Sequence, residues 1–120
     1  MLTEFSDVRQ VEGEGPRRWF FSEYFDLIVW YQGDGSFDGF QLCYDKTGNE
    51  RALTWNWNHG YRHHKIDDGE APNSVKMTPI LVQDGLFDSE SVSRRFERES
   101  INIPKEIRIF VLKKLGEFDL

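Results

Sequence analysis

The residues best suited to chemistry lie in the stretch WNWNHGYRHH, which runs from Trp55 to His64. It contains two tryptophans, two asparagines, a tyrosine and three histidines around a His59-Gly60 turn signal. Imidazoles, together with the carboxylates of Asp67 and Asp68, are suitable ligands for zinc or another divalent metal. Indole rings offer stacking surfaces. The residue types therefore indicate either a metal centre or an aromatic ligand pocket.

Strand geometry argues against the metal centre. Successive side chains of a strand point to opposite faces, so His63 and His64 in one strand cannot readily share an ion. A helix would place His59 and His63 on one face, but Gly60 and the surrounding strand pattern disfavour that helix. The sequence therefore assigns no metal ligand and no cofactor. A small hydrolase or metal-assisted enzyme that uses His63 with Asp67 is kept as the alternative function.

Covalent catalysis through Cys43, the single cysteine, is also disfavoured. On the sheet argued below, Cys43 and His63 lie about 10 Å apart, too far for a thiol and its base to share a proton. A lone cysteine also excludes an internal disulfide and a cysteine-rich metal site. We expect Cys43 to be a small buried residue. No catalytic residue is assigned, and a non-enzymatic protein is favoured.

Composition narrows the class of protein further. The formal net charge is −6, which disfavours the phosphate contacts of a nucleic-acid-binding protein. The first residues, MLTEFSDVRQ, lack the pattern of a secretory signal, and no apolar run approaches the ~20 residues that span a bilayer. We therefore expect a cytoplasmic protein that binds neither membranes nor nucleic acid. A length of 120 residues suits a single domain, 1-120.

The elements that must position these residues fall into three parts of the chain. Residues 1-16 are polar and glycine-bearing, typical of a loose N-terminal arm or a short edge segment. Residues 17-82 are β-rich, because turn signals such as Asp34-Gly35 separate runs of aromatic and β-branched residues. Within this part, Pro79 limits the segment 77-82 to an edge strand.

The third part, 88-116, is mainly helical by its pattern. One helix is expected from about Ser89 to Ser100, and a second from Pro104 to about Leu115, with Gly116 as a plausible stop. Ile107, Ile109 and Val111 also alternate, so a strand over 107-112 is the alternative. The sequence thus predicts an α+β fold, an antiparallel β-meander of four to six strands with one or two C-terminal helices packed on its apolar face.

Strand registers follow from matching apolar residues across the turns, because a slip of one residue exchanges the two faces. A two-residue Asp34-Gly35 turn sets Leu27 opposite Leu42. A four-residue loop over 46–49 sets Leu42 opposite Leu53. A two-residue His59-Gly60 turn sets Leu53 opposite Ile66. The resulting core face comprises Phe25, Leu27, Val29, Phe40, Leu42, Tyr44, Leu53, Trp55 and Ile66.

The opposite face then combines an indole with amide, hydroxyl, imidazole and ammonium groups, which is the general composition of a ligand pocket. Gly39 opposite Trp30 would leave room above the backbone. The predicted ligand-binding residues are Trp30, Gln41, Thr54, Asn56, His63 and Lys65. We therefore expect a small binding or protein-interaction domain whose partner is a small molecule or a protein, with its oligomeric state open. The alternative is an ordinary solvated sheet face.

Overall fold

The computed structural model describes residues 1–6, 10, 15–67, 80–83 and 87–118. Its seven strands are β1 (Thr3–Glu4), β2 (Arg17–Phe21), β3 (Phe25–Tyr31), β4 (Phe37–Tyr44), β5 (Arg51–Asn56), β6 (Gly60–Asp67) and β7 (Ile80–Gln83). Two helices follow, α1 (Ser89–Glu99) and α2 (Lys105–Glu117). The strands form one antiparallel sheet in chain order. The α+β meander is confirmed, with six strands of four or more residues and the two-residue β1 added at one edge.

Both helices form where the apolar spacing predicts them. Asp88 caps α1, because its carboxylate accepts a hydrogen bond of 3.1 Å from the Ser91 backbone N–H. In α2 the buried residues Ile107, Val111 and Leu115 recur every four positions, so segment 107-112 is a helix and not a strand. Gly116 is not the stop that the sequence suggested, because α2 continues to Glu117.

The helices pack on the apolar face of the sheet, as predicted. Phe96 of α1 meets Phe25 of β3 edge to face at 5.7 Å between ring centroids. Phe110 of α2 stacks on Phe37 with centroids 4.2 Å apart and also meets the ring of Phe40. Burial of these rings between two layers removes a large apolar area from water and stabilises the sandwich of helix on sheet.

The two predicted registers on either side of β4 are confirmed, but the predicted two-residue Asp34-Gly35 turn is wrong: the Gln32 backbone N–H donates a hydrogen bond to the Ser36 carbonyl oxygen, so residues 33–35 form a three-residue turn. Leu27 pairs with Leu42 across the first turn, and Leu42 pairs with Leu53 across the second. A β-bulge interrupts the β3–β4 ladder, where Trp30 pairs with Gly39 but Tyr31 pairs with Phe37. Asp38 is therefore the extra residue on β4.

The predicted register between β5 and β6 is wrong. Leu53 pairs with His63 and Trp55 pairs with Tyr61, because the turn comprises the three residues 57–59. The slip relative to the prediction is three positions, an odd number, so every side chain of β6 changes face. Ile66 consequently leaves the predicted core face.

The physical reason is that polar atoms on β6 find hydrogen-bond partners in buried or partly buried positions. The Tyr44 hydroxyl and His63 Nε2 are 2.6 Å apart, and the Tyr61 hydroxyl donates a hydrogen bond of 2.7 Å to the Lys114 carbonyl oxygen. Gly60 begins β6 with a φ of +70°, a conformation that favours glycine. The register prediction considered only pairs of apolar residues and therefore took no account of these hydrogen bonds.

The two edge strands complete the sheet. β7 pairs only with β6, so Ile80–Gln83 is the edge strand expected of this region, while residues 77–79 lie outside the described part. At the other edge β1 pairs with β2, and Leu2 is buried beside it. Among the described residues, neither helix is long and apolar enough to cross a membrane.

Candidate ligand-binding groove on the outer sheet face

The face of the sheet that points away from the helices is called the outer face here. Strand pairing places Arg17, Trp30, Gly39 and Asn56 side by side across β2 to β5. The neighbouring row comprises Trp19, Ile28, Gln41, Thr54 and Arg62. Charged, polar and aromatic groups from five consecutive strands therefore share one surface.

A groove of about 580 Å³ lies on this face. Among the residues that the structure describes, its lining comprises Gly15, Arg17, Trp30, Asp38, Thr54, Trp55, Asn56, His59, Gly60 and Arg62. The volume lies within the range of about 300–1,000 Å³ that is usual for small-molecule sites. Three predicted ligand-binding residues, Trp30, Thr54 and Asn56, are therefore brought together in one cavity.

Gln41 lies beside the groove and does not line it. Its side-chain oxygen accepts a hydrogen bond of 3.4 Å from Thr54 Oγ1, and its amide nitrogen lies 3.4 Å from Cys43 Sγ. The carboxamide therefore fixes the Thr54 hydroxyl from the neighbouring strand. Gln41 is placed on the predicted face but in a supporting position.

His63 and Lys65, the other two predicted ligand-binding residues, lie on the opposite face because of the slip in β6. His63 is only 6% exposed and packs among the rings of Tyr44, Phe87 and Phe118. Lys65 pairs with Arg51 and its side chain is exposed. Neither residue can contact a ligand in the groove.

The sequence-based prediction missed four lining residues with charged or ionisable side chains: Arg17, Asp38, His59 and Arg62. Arg62 faces the groove because of the three-residue turn, which the asparagines around it could have suggested. Asn56 Oδ1 accepts a hydrogen bond of 2.8 Å from the Asn58 backbone N–H and so shapes that turn. Asp38 enters the groove through the bulge, for which the sequence carries no clear signal.

Several polar groups of the groove are uncommitted. Within the described part of the chain, the Arg62 guanidinium and the Asp38 carboxylate make no hydrogen bond or ion pair, and no ring contacts the Trp30 indole. The Asn56 side chain uses its oxygen in the turn. Its amide nitrogen carries two N–H donors, and none of the described residues accepts a hydrogen bond from it.

Gly39 lies next to the groove without being one of its described lining residues, and it is needed for a reason other than the expected one. A Cβ at this position would lie 2.3 Å from the Trp55 carbonyl oxygen and 3.1 Å from Asn56 Cα. The glycine is therefore required by the close approach of β5, and it also leaves the backbone opposite Trp30 bare.

The alternative enzymatic site gains no support from this geometry. The described residues contain no group of three or more His, Cys, Asp or Glu side chains that could hold a metal ion. His63 Nε2 already lies at hydrogen-bond distance from the Tyr44 hydroxyl in a buried environment. Burial raises the pKa of the Cys43 thiol to about 11, so the nucleophilic thiolate is disfavoured at neutral pH.

Comparison with protein-family models, with curated proteins and with solved structures found no match.

Proposed function

We propose that the protein is a small non-enzymatic binding domain that holds a small molecule in the outer-face groove. The observation that carries the proposal is the meeting, in one cavity, of the Trp30 indole with the uncommitted side chains of Asp38 and Arg62. Binding sites combine an apolar wall with a few polar groups that have no partner within the protein. The Asn56 amide and Thr54 hydroxyl add groups that can orient a ligand.

The competing interpretation is an ordinary solvated sheet face. On such a face, opposite charges on neighbouring strands commonly pair with each other. Here Asp38 of β4 and Arg62 of β6 are separated by β5 and pair neither with each other nor with a neighbouring strand among the described residues, so both charges in the cavity remain available to a ligand. This arrangement favours a site over a surface that only stabilises the sheet.

We also propose a cytoplasmic location. A protein is the second candidate partner for this face. Five neighbouring strands contribute to a concave cavity, and concavity suits a small molecule better than a flat protein surface. Native mass spectrometry of freshly purified protein would detect a co-purified small molecule directly. Size-exclusion chromatography over a range of concentrations would reveal self-association.

The decisive experiment is a small-molecule library screen followed by heteronuclear NMR. A ligand of the groove should shift the indole N–H resonance of Trp30, assigned with the Trp30→Phe variant, and the amide resonances of Asn56. The double variant Thr54→Val/Asn56→Ala should weaken binding about tenfold or more, as expected for the loss of two hydrogen bonds. Thr47→Val, at an exposed loop position, is the matched control and should bind normally.

Three results would contradict this proposal. Ligands that shift only resonances outside the groove, or a library without any ligand that shifts them, would refute the assignment of the groove as a binding site. Binding that the double variant leaves unchanged would do the same.

A further inference from the structure

Resting on the proposed function, we infer that the groove takes an elongated anionic ligand: a heteroaromatic ring against Trp30 and a phosphate or carboxylate at Arg62, separated by a linker of several bonds. A nucleoside monophosphate has this chemistry. Three features of the groove favour such a ligand: its charge, its uncommitted polar groups and the distance between Trp30 and Arg62 across the sheet.

The described lining residues of the groove carry a charge of opposite sign to that of the chain. The protein carries a formal net charge of −6, but the lining residues that the structure describes include two arginines and one aspartate, which together give +1 with His59 neutral. A cleft of one sign attracts ligands of the opposite sign and concentrates them near its wall. On a protein that repels anions elsewhere, this local reversal favours an anionic ligand in the groove.

Arg62 is the better of the two arginines for holding the anion. Its side chain is exposed and, within the described residues, makes no hydrogen bond or ion pair. A guanidinium presents several N–H donors in a plane that matches phosphate and carboxylate oxygens. Arg17 already takes part in other interactions of the protein.

Trp30 provides the surface for the ring. The indole is half-buried, and no aromatic ring of the described residues covers it. Gly39, directly opposite on β4, has no side chain to occupy the adjacent space. A flat ligand can therefore lie against the indole with offset stacking.

The distance between these residues defines the length of the ligand. Trp30 belongs to β3 and Arg62 to β6, which are three strand spacings apart, about 14 Å across the sheet. The two long side chains extend into this gap, but among the described residues no cation–π contact joins the Arg62 guanidinium to the Trp30 ring. A charge attached directly to the ring would remain near Trp30, so the anion must extend on a linker.

The middle of the groove indicates what kind of ring is bound. Asp38 offers a carboxylate acceptor on β4, the strand next to Trp30, and the Asn56 amide offers a donor on β5. A heteroaromatic ring with N–H donors and ring-nitrogen acceptors can use both groups. A plain hydrocarbon ring would leave the Asp38 carboxylate desolvated without a partner, which is unfavourable.

Calorimetric titration with matched pairs of compounds tests the inference. Adenosine monophosphate should bind about tenfold or more tightly than adenosine, and inorganic phosphate alone should bind more weakly than either. The pair 4-phenylbutyrate and 4-phenylbutanol tests a carboxylate as the anion, with weaker binding of both because their ring lacks N–H donors. A preference for the charged member in either pair supports the inference and identifies the anion.

Variants locate the two ends of the ligand. Arg62→Gln should weaken binding of adenosine monophosphate about tenfold while leaving binding of adenosine unchanged. Arg98→Gln, on the exposed side of α1, is the matched control and should change neither affinity. Unchanged NMR spectra outside the groove would show that both variants remain folded.

The outcomes separate this inference from the proposed function. If neutral compounds bind in the groove as tightly as their charged partners, the anionic ligand is refuted and the binding function stands. If Arg17→Gln abolishes binding but Arg62→Gln does not, the anion lies beside the ring and the elongated ligand is refuted. If none of these compounds shifts the Trp30 indole resonance, the inference is refuted, and the library screen then decides the binding function.

Discussion

At the scale of single residues, buried polar atoms determine more of this fold than the apolar pattern suggests. The Tyr44 hydroxyl and His63 Nε2 lie 2.6 Å apart in the core, and their rings are nearly parallel, with an interplanar angle of 6°. A histidine on the core face is tolerated because its ring nitrogen has a partner there. This pair secures the observed register of β6.

Removal of the Tyr44 hydroxyl should therefore be costly. We expect Tyr44→Phe to lower the free energy of unfolding by about 1–3 kcal/mol, because it removes a buried hydrogen bond. Urea denaturation measures the difference. Tyr24→Phe is the matched control, since the described residues form no hydrogen bond with the Tyr24 hydroxyl, and it should cost less than about 0.5 kcal/mol. Equal costs for the two variants would contradict a structural role for the Tyr44–His63 pair.

The buried thiol of Cys43 leads to a prediction about pH. Burial raises its pKa from 9.0 to about 11, so the folded protein keeps the proton over an interval in which the unfolded chain loses it. The corresponding stabilisation is complete below pH 9 and is lost as the pH rises toward 11. We expect Cys43→Ala to show a smaller decline in stability over this interval.

Alkylation tests the same property of Cys43 by an independent measurement. Iodoacetamide at pH 8 should label the native protein far more slowly than the protein in urea, because the thiol is both buried and protonated. Mass spectrometry follows the adduct. Labelling of the native protein at the rate of the unfolded chain would show that the thiol is accessible.

At the scale of elements, the close approach of β4 and β5 requires a glycine. Gly39→Ala would place a Cβ 2.3 Å from the Trp55 carbonyl oxygen, so one strand must shift. We expect a loss of about 1–3 kcal/mol in the free energy of unfolding, as for other overpacked positions. Gly33→Ala is the control, because a Cβ there meets nothing within 4 Å, and it should change stability by less than about 0.5 kcal/mol.

The orientation of α2 can be tested with two isoleucines of the same helix. Ile107 is 1% exposed and Ile109 is 53% exposed. Ile107→Ala should cost about 2–5 kcal/mol, because it leaves a cavity between helix and sheet. Ile109→Ala should remain within about 0.5 kcal/mol of the parent protein. Similar losses for both variants would indicate that this segment is buried on two sides, as in a strand.

At the scale of the whole molecule, the first residues connect the edge of the sheet to the helix layer. Leu2 is 1% exposed, and its backbone N–H donates a hydrogen bond of 2.8 Å to the Glu99 carbonyl oxygen at the end of α1. The Glu4 carboxylate accepts two hydrogen bonds from Arg18 on β2, of 2.8 and 2.7 Å. This segment is therefore part of the packed structure.

Truncation of Leu2 should weaken the association of the two layers. We expect Leu2→Ala to lower the free energy of unfolding by about 2–5 kcal/mol, since a fully buried side chain is lost. Thr3→Ala, at the adjacent exposed position, is the control and should have little effect. Hydrogen exchange provides a second measurement: Leu2→Ala should accelerate exchange in β1 and at the end of α1 before the central strands. Unchanged exchange there would contradict the connecting role.

Local sequence patterns were sufficient for most of the architecture. Alternating apolar residues placed Leu27, Leu42 and Leu53 in register, because the pairing of adjacent strands depends on few neighbouring residues. The turn at 33–35 is one residue longer than predicted, and the bulge at Asp38 restores the predicted register. Apolar residues spaced four positions apart predicted α1 and α2, because this spacing also depends only on residues that are close in the sequence. These registers also placed Trp30, Thr54 and Asn56, three of the six predicted ligand-binding residues, in the groove.

The sequence by itself thus determined the α+β meander, the side of the sheet that the helices cover and one wall of the groove. Only the tertiary structure decided which residues complete that groove. His63 lies in the core at hydrogen-bond distance from Tyr44, nineteen positions away in the sequence. Tyr61 faces the helices and donates a hydrogen bond to the Lys114 carbonyl oxygen in α2. Those distant partners exchanged the faces of β6 and replaced His63 and Lys65 with Arg62. Local patterns encode alternation and spacing, whereas the partners of buried polar atoms come from elements that meet only after folding.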